Sequence, residues 1–170
     1  MKITRIAAPL LACAAFALPA HATVTVTYGE PDRFTDAGDR NSDPRKVMQD
    51  LAGFLKGLGD KLLPSGANLA IEVLDLDRAG RPRMNLPTEI RVMTGKADSP
   101  CIELRYSLEQ DGRAVKSARE RVCDPDYLFA PSRGTDRNDP LVYEKHMLER
   151  WFRERFATPA SSAAPSRLPR

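Results

Sequence analysis

The chain has 170 residues, of which 42% are hydrophobic, and its 26 Lys and Arg residues nearly balance its 23 Asp and Glu residues. A chain of this length accommodates one folded domain with a hydrophobic core. Because the charge is nearly balanced and no basic run occurs, the chain lacks the electrostatic footprint of a nucleic-acid-binding protein.

The N-terminus has the three parts of a secretory signal in the expected order. Lys2 and Arg5 supply positive charge, an apolar run follows from residue 6 to residue 20, and Ala20-His21-Ala22 places small residues around a cleavage point. We therefore predict a cleavable signal over residues 1–22. The alternatives are a buried N-terminal helix, a membrane anchor and a lipoprotein signal at Cys13. Export would place the mature protein in the periplasm, with no transmembrane segment after cleavage.

Hydrophobic periodicity divides the remaining chain into strands and helices. Alternating β-branched residues predict a strand over 24–28, and Asp43-Pro44 followed by apolar residues at spacings of three and four predicts a helix that ends at Pro64. Strands follow at about residues 68–77, 89–94, 101–109 and 114–123. A second helix opens at Asp139-Pro140, after a polar loop at residues 130–138. The Ala, Ser, Pro and Arg composition of residues 158–170 predicts a disordered tail.

This order of elements predicts a single α+β domain over residues 23–157. A mainly antiparallel sheet of about five strands would carry two amphipathic helices on one face, although the strand order is not predicted. Gly53, Gly57 and Gly59 each weaken the first helix by up to about 1 kcal/mol relative to alanine. Close packing of that helix against the sheet explains their presence.

Two cysteines, Cys101 and Cys123, remain once the signal is removed. In an oxidising compartment such a pair predicts a disulfide. A metal pair or a reactive thiol is the alternative, but the mature chain contains one histidine, His146, and thus lacks the further ligands of a zinc site.

Asp111-Gly112 predicts a hairpin between these cysteines. A two-residue turn alone would place Cys101 opposite Val122, with the two sulfurs on opposite faces. A register that pairs Cys101 with Cys123 lets them bond. It also matches apolar with apolar and acid with base residues: Ile102 with Val122, Glu103 with Arg121, and Tyr106 with Ala118. We predict this register, produced by a three-residue loop or a β-bulge.

Several segments together resemble the domain of unknown function 3016 family, whose members are exported proteobacterial proteins. They are the stretch from Ile71 to Gly80, the strands Ile90-Arg91-Val92 and 102–106, Asp124 with Tyr127, and the helix from Tyr143 to Phe152. The resemblance spans residues 24–156. It implies a periplasmic or envelope location and supplies no catalytic residues. The cysteine pair is not part of the family pattern, so the disulfide would be an addition in this chain.

Two pairs of aspartates are the candidate site. Asp75 and Asp77 share one face at the end of a strand, and Asp124 and Asp126 flank a proline after the hairpin. If the two strand ends are neighbours, four carboxylates converge, and they could bind a divalent cation or act as an acid/base pair. The alternative is that these aspartates terminate strands and cap turns, which the sequence favours. We assign no metal site from the sequence.

The last predicted helix carries three other candidates, Glu144, His146 and Trp151. No Gly-x-Ser-x-Gly elbow accompanies His146, so an exposed helix histidine is the favoured interpretation. Trp151 with Phe152 indicates core packing rather than a ligand platform.

No phosphate loop, dinucleotide fingerprint or cysteine–histidine nucleophile occurs in the sequence. We therefore predict no cofactor and no catalytic residues. The favoured function is non-enzymatic binding of an envelope protein, a lipid or a cell-wall component. A small periplasmic hydrolase that uses the acidic cluster is the alternative.

Overall fold

The computed structural model describes residues 21–39, 42–83, 90–129 and 139–156. In chain order its elements are β1 (Thr23–Tyr28), α1 (Pro44–Leu62), β2 (Ala67–Asp77), β3 (Arg81–Arg83), β4 (Ile90–Val92), β5 (Cys101–Gln110), β6 (Arg113–Cys123) and α2 (Val142–Phe156). The predicted signal up to residue 20, the predicted loop at 130–138 and the predicted tail lie outside the described residues.

Four strands form one sheet in the order β1-β2-β5-β6. β1 runs parallel to β2, with Thr23 opposite Asn68, whereas the β2–β5 and β5–β6 pairs are antiparallel. The helix α1 makes the crossover that the parallel pair requires. β4 forms a separate two-stranded sheet with β3, and β3 lies between the strands predicted at 68–77 and 89–94. The described chain therefore has six strands in two sheets, rather than about five in one.

One face of the four-stranded sheet is apolar. Leu69, Ile71 and Val73 on β2 are buried while their neighbours are exposed or half-buried, and Leu104 and Tyr106 continue this face on β5. The apolar stripes of both helices belong to the same buried cluster: Val47, Leu51, Leu55 and Leu58 of α1, and Met147, Leu148, Trp151, Phe152 and Phe156 of α2. The observed elements agree with the predicted α+β class.

Both predicted caps hold a helix start. Asp43 accepts a hydrogen bond from the Arg45 N–H at 2.9 Å, and Pro44 is the first residue of α1. Asp139 accepts from the Leu141 N–H at 2.9 Å, and the regular turns of α2 begin at Val142. Neither described helix has the length and apolarity needed to cross a membrane.

The glycines of α1 divide into two groups. A Cβ on Gly59 would collide with the Val24 side chain of β1, whereas a Cβ on Gly53 or Gly57 would meet nothing within 4 Å. Close packing against the sheet therefore explains Gly59 alone. The packing explanation of Gly53 and Gly57 is wrong.

The hairpin register is confirmed. Cys101 lies opposite Cys123 and is bonded to it, with 4.2 Å between the two Cα atoms. Asp111 and Gly112 adopt φ angles of 50° and 74°, the left-handed pair of a two-residue hairpin turn. A bulge next to Leu108 changes the register by one residue, which brings the cysteines onto the same face.

Candidate functional site

A cleft of about 1220 Å³ lies where β1 and β2 end. The loop after β1 follows the edge of β2, because the Asp36 N–H donates to the Leu76 carbonyl at 2.7 Å. Asp36 and Asp77 are thereby paired as a short parallel bridge. The first turn of α1, the start of β3 and residues 97–99 complete the walls, and Cys101 and Arg121 line the sheet side.

Asp77 is the carboxylate of the predicted site that lines this cleft. Burial raises its pKa above the ordinary aspartate value, and the negative charges of Asp36 and Asp75 raise it further. Arg81 and Arg121 act in the opposite direction. Asp77 is therefore a carboxyl group that takes up a proton more readily than an exposed aspartate.

A half-buried arginine, Arg91, holds the loop behind the cleft. The Arg91 guanidinium binds both carboxylate oxygens of Asp36, at 2.8 and 3.1 Å, and one oxygen of Asp39 at 3.1 Å. It also donates to the carbonyls of Ala79 and Gly80 at 3.1 and 2.9 Å. Burial opposes the charge of Arg91, but the two aspartates overcome that effect and raise its pKa. These bonds tie β4 to the loop after β1 and to the turn after β2.

Arg78 lies beside this network and lines the cleft. Its residue exposure is 3%, and its Nη1 atom is 3.5 Å from an Asp39 oxygen. Within the described ranges, neither Nε nor Nη1 of Arg78 has a hydrogen-bond partner. A buried guanidinium with unsatisfied donors is unusual, because each such donor costs free energy on burial.

Glu144 of α2 supports the same turn from the core side. Its Oε1 atom accepts from the Ala79 N–H at 2.8 Å, while Oε2 has no hydrogen-bond partner within the described residues. Burial raises the pKa of Glu144, although Arg78 and Arg91 partly counteract that effect. The turn at residues 78–80 is thus held by α2 on one side and by β4 on the other.

The opposite wall is held by Asp98. One of its oxygens accepts from the Tyr127 hydroxyl at 2.7 Å, and the other accepts from the N–H and hydroxyl of Thr94, both at 2.7 Å. Burial raises the pKa of the Tyr127 phenol to about 12, and the hydrogen bond to Asp98 contributes. This carboxylate therefore orders the wall at residues 94–99.

The four predicted aspartates do not form a common metal site. Asp75 accepts from the Thr35 N–H and hydroxyl at 2.7 and 2.8 Å, which anchors the loop after β1. Asp124 is buried, lies 3.3 Å from Arg150 and accepts from the Asp126 N–H at 3.3 Å. In the part of the chain that the structure describes, no group of three or more His, Cys, Asp or Glu side chains is arranged to hold a metal ion.

The candidates on α2 have mainly structural contacts. Trp151 is buried in the core beside Phe152, and its indole N–H donates to Glu120 at 3.0 Å. His146 is half-buried rather than exposed, because it lies in the groove between the two helices. Of these three residues, Glu144 contacts the turn at residues 78–80, which lines the cleft.

Sequence reasoning did not single out Asp36, Asp39, Arg78 or Arg91 as site residues. No signal in the sequence marks Arg91, because Ile90-Arg91-Val92 has the ordinary alternation of a half-buried strand, in which the middle side chain is expected to face solvent. Its partners lie more than 50 residues away in sequence, so spacing does not identify them.

Comparisons with known proteins agree with the resemblance found in the sequence. The family model described as "Protein of unknown function (DUF3016)" matches residues 22–154. No curated protein matches the chain. Among solved structures, a dodecamer of a PelC variant from Paraburkholderia phytofirmans is similar to 78% of this chain and 92% of its own, with 14% identity and a TM-score of 0.26.

Proposed function

The chain belongs to the DUF3016 family of proteins of unknown function, and from that premise we propose that it is an exported binding protein. Its binding site is the cleft at the end of β1 and β2, and the ligand is a polar molecule of the cell envelope. The observation that carries the proposal is the cleft itself, whose lining combines several arginines and aspartates with few large apolar side chains. Binding pockets are typically concave sites with polar groups that fix the ligand's orientation.

The cleft is also held in shape by hydrogen bonds within the protein. Arg91 and Glu144 fix the turn at 78–80, and Asp98 fixes the opposite wall. A site held in this way loses little conformational freedom when it binds, so more of the contact energy appears as affinity.

Export is supported by two features of the chain. Residues 1–22 have the charge, apolar run and small residues of a cleavable signal. The Cys101–Cys123 disulfide is the kind of bond that persists in oxidising compartments such as the periplasm. We propose that the mature chain begins at Thr23 and consists of the domain at 23–157 and the tail at 158–170.

A crosslinking experiment in intact cells tests the binding proposal. A photoreactive amino acid replaces Ala97, which is exposed and lines the cleft. The matched control replaces Ala114, which is exposed near the hairpin turn of β6. We expect a defined adduct from position 97 and none from position 114. Equal labelling from both positions, or none from position 97, contradicts the proposal.

Mass spectrometry of the periplasmic fraction tests whether the N-terminus is Thr23.

A hydrolase is the second candidate, and the observation that favours it is the position of Asp77, a carboxyl group with a raised pKa that lines the cleft. A carboxyl with a raised pKa in a cleft is suited to act as a general acid. If the chain is a hydrolase, Asp77→Asn will abolish turnover of envelope polymers while the crosslink from position 97 persists. Unchanged turnover in that variant removes this candidate.

A further inference from the structure

We propose that the cleft binds an anionic group, a carboxylate or a phosphate, between Arg78 at its base and Arg81 and Arg121 at its rim. This inference rests on the proposed binding function and specifies the class of ligand. Guanidinium groups match both anions because their planar donors form paired, charge-assisted hydrogen bonds.

Arg78 provides the first argument. Its side chain is almost entirely buried, yet Nε and Nη1 make no hydrogen bond to any described residue. The 3.5 Å approach to Asp39 is an electrostatic contact, and it leaves these donors unsatisfied. The Nε and Nη1 atoms are themselves closed to solvent, so an anion in the cleft would offset the charge of Arg78 where the residue lines the wall, rather than bond to these two atoms.

The pairing of β5 with β6 provides the second argument. Arg121 lies opposite Glu103 in the register, but Glu103 forms its ion pair with Arg119 instead, at 2.6 Å. Arg121 is exposed and lines the cleft, as does Arg81. Neither of these two arginines has an ion-pair partner within 4.0 Å among the described residues, although both act on Asp77 through their charge.

The aspartates of the cleft are mostly engaged elsewhere. Asp36 is bound by Arg91, Asp98 by Tyr127 and Thr94, and Asp43 caps α1. Asp77 remains as a negative charge beside the two rim arginines, and Asp32 lies farther along the lining. The groups that still have unused hydrogen-bonding capacity are therefore mainly arginines. These unused donors suit an anion better than a cation.

The test uses the chain expressed with its own N-terminal segment and purified with the disulfide formed. Inorganic phosphate and citrate are titrated separately at constant ionic strength, and amide chemical shifts report binding. We expect saturable shifts at cleft residues with at least one of the two anions. Phosphate binding alone indicates a phosphate-bearing ligand, and citrate binding alone indicates a carboxylate-bearing one.

Matched variants make the assignment specific. Arg121→Gln and Arg81→Gln remove exposed side chains and should each weaken anion binding about five- to tenfold. Arg113→Gln removes the same charge from the far end of β6, outside the cleft, and should leave affinity within about twofold. Asp77→Asn removes the opposing charge and should tighten binding. Arg78→Lys keeps the charge but loses the guanidinium fork, so it should also weaken binding.

Two outcomes overturn the inference. One is the absence of saturable shifts with either anion, and the other is equal weakening by Arg121→Gln and Arg113→Gln. The crosslink from position 97 separates the two proposals. An adduct without anion binding refutes only the anionic class of ligand, whereas the absence of both refutes the binding function as well.

Discussion

Glu120 and Trp151 join β6 to α2 through a hydrogen bond from the indole N–H to the carboxylate, at 3.0 Å. The same carboxylate accepts from the Tyr106 hydroxyl at 3.2 Å and from Arg155 Nε at 3.1 Å. Burial alone would raise the pKa of Glu120, but these hydrogen bonds prevail and lower it. An acidic residue on the apolar face of the sheet thus holds the last helix in place.

We expect Glu120→Ala to destabilise the fold by about 1–3 kcal/mol, because it leaves partly buried donors on Trp151 and Tyr106 without an acceptor. Urea denaturation measures the change. Glu109→Ala is the control, since Glu109 is exposed on β5, and it should alter stability by less than about 0.5 kcal/mol. Equal losses in the two variants would show that Glu120 does not anchor α2.

The two kinds of glycine in α1 predict opposite effects of alanine. Gly53→Ala should stabilise the protein by about 1 kcal/mol, because alanine has the higher helix propensity and the site is open. Gly59→Ala should destabilise it by about 1–3 kcal/mol, because the new methyl group overpacks against Val24. Thermal denaturation of both variants provides the comparison. A stabilising Gly59→Ala would mean that β1 and α1 can separate at no cost.

Loss of the disulfide should lower stability by about 3 kcal/mol, since it closes a loop with a sequence separation of 22. We expect the same loss of stability in the double variant Cys101→Ser/Cys123→Ser and in the native chain after reduction. A reductant should have no effect on the double variant. A double variant as stable as the native protein would show that the disulfide does not stabilise the fold.

Stability at acidic pH should depend on Asp98. Burial opposes its charge, but hydrogen bonds from Tyr127 and Thr94 lower its pKa below the ordinary aspartate value. The stabilisation is therefore complete above about pH 4, where an unfolded aspartate is ionised, and it is lost as the pH falls through the lowered pKa of the folded state.

Asp98→Asn should make the dependence of unfolding free energy on pH shallower below about pH 4. Thr94→Val removes one of the hydrogen bonds and should give an intermediate slope. Urea denaturation between about pH 5 and pH 2 measures both. A slope in Asp98→Asn as steep as in the native protein would contradict this assignment.

The local features of the fold could be predicted from the sequence. The Asp-Gly turn and the requirement that two sulfurs meet were sufficient to predict the register of β5 and β6, with a three-residue loop or a bulge as its cause, and the structure has the bulge. Asp43 and Asp139 marked the helix starts because capping involves residues only two positions apart. The family resemblance is confirmed over nearly the same range.

The cleft could not be predicted, since it is made by contacts between distant segments. Arg91 reaches Asp36 across 55 positions, and Glu144 reaches Ala79 across 65. The separate β3–β4 sheet was not predicted for a different reason. Strands of three residues are too short to produce a periodic signal. Of the predicted aspartates, Asp77 lines the cleft, while Asp75 binds Thr35 and Asp124 accepts from the Asp126 N–H.

The parallel pairing of β1 with β2 has a practical consequence for handling this protein. Thr23 enters the sheet beside Asn68, whereas the cleft lies at the other end of β2, about 30 Å away for a strand of eleven residues. A group attached before Thr23 is therefore at the end of the sheet opposite to the cleft. A carrier, tag or surface coupled there would hold the molecule with the mouth of its cleft facing outward.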